Sequence, residues 1–243
     1  MNHATLLVLI CLVMVATFDS RASSAAKAHS SETVPQSGYE RCFQESELGE
    51  SVAVLKLQFG PEVHKVSQSL LTKAQGAPRC RTQLVFALIK DMEQATDPAG
   101  NQYKNFAFWQ HGASLLADLK ATEALDLLIA NIDITDGWSA SVSQSNLPAL
   151  AAILKIGTPA IPKLQITISN DPVPRRRKFA AFAVAYIGGR QARNVLKTAL
   201  PREADPCNKE FLRVSLQALD NNEKPNHVSA ALNGKWLSAF YCL

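Results

Sequence analysis

The stretch that most constrains this chain is residues 158–200, TPAIPKLQITISNDPVPRRRKFAAFAVAYIGGRQARNVLKTAL, which holds one helix–turn–helix unit and the start of the next. Ile161, Leu164 and Ile168 fall at i, i+3 and i+7, so one helical face is apolar. Pro159 and Pro162 restrict its beginning to a first turn, where a missing N–H is tolerated. Ser169-Asn170-Asp171-Pro172-Val173-Pro174 then sets two prolines among turn formers, and no helix runs through that. From Arg175 helical composition returns. Residues 179–187 are an unbroken apolar run that would also suit a buried strand, but alanines at 180, 181, 183 and 185 favour a helix. Gly188 and Gly189 supply a C-cap without a Cβ penalty. A helix apolar on nearly every side has to be covered by neighbours on both sides.

This stretch resembles the HEAT-like repeats of the phycobilisome-lyase type, whose pattern runs Pro-Ala-Val-Pro-x-Leu, an Asp-Pro turn, Arg, Ala-Ala-x-Ala-Leu and x-Ile-Gly. The matching residues are Pro159-Ala160-Ile161-Pro162, Leu164, Asp171-Pro172, Arg177, Ala180-Ala181, Ala183-Val184 and Ile187-Gly188, while Tyr186, Arg175 and Arg176 depart from it. The resemblance implies an all-α, right-handed α-solenoid of about five HEAT-like helix pairs with N- and C-terminal caps. It also implies that Asp171 and Arg177 pair between neighbouring repeats as a structural ladder, and that the second helices line the concave face. It says little about function, because such folds serve many roles.

Taking Ile187 as a landmark at the end of a second helix, equivalents occur at Ile89, Leu119, Ile156 and Leu219, so successive separations are 30, 37, 31 and 32 residues. A period this steady marks a repeat array, in which no unit buries its apolar face alone. The repeat domain is expected over residues 41–225. Helical spacing places a first helix over residues 61–74 and its partner after Gln75-Gly76-Ala77-Pro78, to about Met92, with further helices over 124–132 and 147–156. Asp205-Pro206 repeats the Asp171-Pro172 turn and leads to Phe211, Leu212, Leu216 and Leu219. Residues 51–59 fit an extended segment as well as a helix. The long interval holds an expanded loop, residues 133–146, whose Trp138 is a candidate binding contact. Residues 226–243, with Trp236, Phe240 and Tyr241, are expected to cap the last helices.

At the N-terminus, an apolar run over residues 4–18 is too short to span a bilayer comfortably and is followed by small residues, as in a signal peptide. We expect a signal peptide over residues 1–22 cut after Ala22, with Ala26-Lys27-Ala28 as a second cleavage choice and a flexible leader over residues 23–40. No Lys or Arg precedes the apolar run, so an uncleaved anchor is the competing reading. No later segment is apolar enough to span a membrane, and the mature chain is expected to be exported, periplasmic or extracellular. Removing Cys11 leaves Cys42, Cys80, Cys207 and Cys242, an even number suited to disulfides in an oxidising compartment. Three pairings are possible; distant repeats do not touch, which favours Cys42 with Cys80 and Cys207 with Cys242, one bridge at each end.

Charge is uneven: residues 172–235 carry twelve Lys and Arg against five Asp and Glu, in a chain whose net charge is +4. That basic third could receive an anionic surface or a polyanion. Arg175, Arg176 and Lys178 are its densest part. With Arg177 they put four cations where the helix dipole is positive, and a bound anion would compensate them. Nothing points to catalysis, a cofactor or a metal. His64, His111 and His227 form neither a His-Glu pair nor a His-x-x-x-His spacing, no Cys-x-x-Cys occurs, and there is no glycine-rich phosphate loop or Gly-x-Ser-x-Gly elbow. Bilin attachment is not expected either, since the residues shared with that family belong to the helix stack and the chain carries an export signal. Sequence therefore predicts an exported, non-catalytic protein-binding or scaffolding module with a protein partner. The alternative is a polyanion or envelope-surface binder acting through the basic C-terminal third. No nucleic acid is expected.

Overall fold

Five prolines open helices in this chain, and they punctuate its architecture. In a computed structural model, which describes residues 42–57, 59–97, 103–135 and 146–221, Pro61, Pro78, Pro148, Pro174 and Pro206 are the first residues of α2 (Pro61–Gly76), α3 (Pro78–Gln94), α6 (Pro148–Ile156), α8 (Pro174–Ile187) and α10 (Pro206–Asp220). At that position the lost N–H had no intrahelical partner, and the fixed φ is already helical. The remaining helices are α1 (Glu45–Leu55), α4 (Phe106–Asp118), α5 (Leu125–Ala130), α7 (Ile161–Asn170) and α9 (Gly189–Ala199). Short 3₁₀ turns, Thr122–Ala124 and Thr158–Ala160, lead into α5 and α7. The described residues are thus all-helical, with no strand and a single isolated bridge between Thr96 and Tyr103.

Side chains cap helix starts as well, both where proline is absent and where it opens the helix. Asn105 accepts the Phe108 N–H at 2.9 Å to start α4, and Asp205 accepts the Asn208 N–H at 2.8 Å to start α10. Gly157 and Gly188, with φ of 83° and 74°, end α6 and α8 in a conformation that a Cβ would strain.

Each helix turns its apolar stripe toward a common core, and α8 is the extreme case. Every residue of 179–185 is buried, because α6, α7, α9 and α10 all pack on this helix. Phe182 and Phe211 stack across the α8–α10 contact with ring centroids 6.5 Å apart. Successive helices also pack in two series: α4 on α6, α6 on α8 and α8 on α10, and alongside them α5 on α7 and α7 on α9. Alanines such as Ala180, Ala183 and Ala185, all at 0% exposure, let these helices approach closely.

The N-terminal third departs from the expected spacing. Of the segment that could also have been extended, residues 51–55 are helical, the end of α1, while Lys56, Leu57 and Phe59 follow in a turn and bend. Ile89 sits five residues before the end of α3, and no helix separates α3 from α4 among the described residues. A pinned connection takes its place. Tyr103 stacks on Trp109 at 4.5 Å and donates its hydroxyl to the Asn131 carbonyl, while Trp109 Nε1 donates to Thr96 Oγ1. Between Ile89 and Leu119 the described residues hold the end of α3, this connection and α4, one helix fewer than the expected spacing implies.

The disulfide between Cys42 and Cys80 ties the chain before α1 to the first turn of α3, as expected. Cys207 is disulfide-bonded too, and Cys242, its expected partner, lies outside the described residues. So do Trp138, the signal and leader segments and the C-terminal aromatic cap. No described helix is long and apolar enough to cross a membrane.

Candidate functional site

The turn between α7 and α8 places the basic run where the backbone should repel it. Asp171 caps the turn by accepting the Val173 N–H at 2.8 Å, Pro174 starts α8, and Arg175, Arg176, Arg177 and Lys178 fill its first turn. Carboxylates from other turns offset the clash with the helix dipole. Arg177 grips Glu203 with two hydrogen bonds, Nη2 to Oε1 at 2.6 Å and Nε to Oε2 at 2.9 Å, and donates a third to the Asp171 carbonyl at 2.9 Å. Glu203 is almost fully enclosed. Burial pushes its carboxyl up, but hydrogen bonds from Arg177 and from the Asp205 N–H, with the guanidinium charge, outweigh burial and hold it below its ordinary range. Asn208, itself 2% exposed, donates to the Pro174 carbonyl and so ties the start of α10 to the start of α8.

Its neighbours are also engaged. Arg176 sits between Asp133 at 3.6 Å and Asp171 at 3.5 Å. Arg175 lies 3.9 Å from Asp133 and over the Phe179 ring. Burial raises the Asp133 carboxyl above its ordinary value, and the two arginines oppose that rise. Lys178 donates to Cys207 Sγ at 2.7 Å; burial lowers its pKa, and the negative charge of Asp205 works against the lowering. The four cations therefore face four carboxylates, those of Asp133, Asp171, Glu203 and Asp205.

The ladder differs in detail from expectation. Arg177 gives its charge to Glu203 and reaches Asp171 only through a backbone oxygen, because Glu203 offers a carboxylate edge on that side and Asp171's carboxylate faces Arg176. Sequence reasoning missed Asp133 and Glu203. Asp133 and Asp205 stand 38 and 34 residues either side of Asp171, near the repeat spacing, and that recurrence of acids at turns is the signal that could have found the network.

A second feature lies at the other end of the described chain. Phe59 and Gly60, with facing residues of α2 and α4, enclose a groove of about 470 Å³. Val63, Leu71 and Leu115 make its floor apolar, and Ser67, Ser114 and Asp118 make its rim polar. Asp118 pairs with Lys155. His111 reaches into the groove with its ring 5.5 Å from Phe59, edge to face; its Nε2 is shielded from solvent and has no hydrogen-bond partner among the described residues. Burial lowers the pKa of that imidazole, so it is neutral near pH 7. Phe59 is 68% exposed, large for an unsupported ring. Among the described residues, no three His, Cys, Asp or Glu side chains converge as a metal site would require.

Comparison with protein families, with curated proteins and with solved structures finds no match for this chain.

Proposed function

We propose that the chain is an exported, non-catalytic protein-binding or scaffolding module, a right-handed stack of about five HEAT-like helix pairs. The observation that carries the reading is the set of polar ties between successive turns. Arg81 joins α3 to Glu123 and to the carbonyls of Leu119 and Lys120. Lys163 joins α7 to Asp126, and Arg176 and Arg177 continue the series through Asp133, Asp171 and Glu203. Such ties fix neighbouring helix pairs against one another. A stack held in this way is a rigid frame for a binding face rather than a container for chemistry. The α2–α4 groove is the part of that frame prepared for a partner, with an apolar floor, an exposed Phe59 and a buried nitrogen of His111 awaiting a hydrogen bond.

Export accords with the Cys42–Cys80 disulfide, which an oxidising compartment maintains. The test is photo-cross-linking in envelope extract from a reactive residue placed at Ser67 or Ser114, with Thr82, exposed on α3, as the control position. The expected result is a discrete protein adduct from both groove positions that persists at about 0.15 M salt and is lost with Phe59→Ala. Equal labelling from Thr82, or none from the groove, would overturn the assignment.

A further inference from the structure

We draw no further inference here: the strongest candidate, the groove that α2 and α4 form beside Phe59, belongs to the site already described, and nothing in the structure shows what covers it.

Discussion

Removing the guanidinium of Arg177 tests the ion-pair network where it is most enclosed. The side chains of Arg177 and Glu203 are 15% and 4% exposed, so Arg177→Met leaves a buried carboxylate without its counter-charge. Breaking a buried pair from one side costs about 3–5 kcal/mol. For a domain of this size that is a fall in Tm of about 6–20 °C. A second substitution identifies the cause. Glu203→Gln in the Arg177→Met background keeps an oxygen for the Asp205 N–H and removes the stranded charge, so most of the loss should return. The pH dependence supplies an independent sign. In the native chain Glu203 has a folded pKa below its unfolded value, so its contribution is present above the unfolded pKa and is lost as pH falls through the folded one. In Arg177→Met the Arg177 hydrogen bonds are gone and burial dominates, which moves the folded pKa above the unfolded one. That variant sheds its penalty as the carboxyl gains a proton, and its gap from wild type narrows between about pH 7 and pH 4. Urea unfolding followed by far-UV circular dichroism at both pH values measures each quantity. A single variant within about 1 kcal/mol of wild type would refute the reasoning, as would a double variant no more stable than the single one.

Two further outcomes follow from the same structure. Replacing both Cys42 and Cys80 by alanine opens a loop spanning 38 residues, and the chain-entropy relation sets the expected loss at about 4 kcal/mol, read as a shift of the urea midpoint; an unchanged midpoint would contradict it. His111 has a folded pKa below its unfolded value, so the unfolded chain takes up the proton first and stability falls as pH drops below the unfolded value of about 6.5. In His111→Leu the decline in Tm between about pH 7 and pH 5.5 should be smaller than in wild type, and an identical decline would place the acid sensitivity at another group.

Much of the architecture was legible because it is local. Pro61 marks a helix start and Gly188 a helix end through their own covalent geometry, whereas Pro78, Pro174 and Pro206, which read as turn residues, are the first residues of their helices. The alanine-rich run of α8 announced a helix with neighbours on both sides, and it has four. Spacing failed between α3 and α4, where a stacked Tyr103 and Trp109 hold a connection and no helix intervenes among the described residues. Periodicity cannot register that, since the apolar residues of a pinned connection count toward burial just as those of a helix do. The α2–α4 groove was equally invisible. It depends on Phe59 and His111 meeting across residues far apart in sequence.

The basic run shows why linear charge density misleads about sites. Four consecutive cations look like surplus because nothing within six residues on either side, except Asp171, can match them. Their partners come from the turns before and after, Asp133 below and Glu203 above, and each reaches them only once the helix pairs are stacked. Crowding at the α8 N-terminus is therefore a consequence of stacking: the arginines there serve two junctions at once. Arg190 and Lys197 on α9 are sparser in sequence and make no ion pair with another described residue. Unmatched charge, rather than dense charge, is what remains available to a partner.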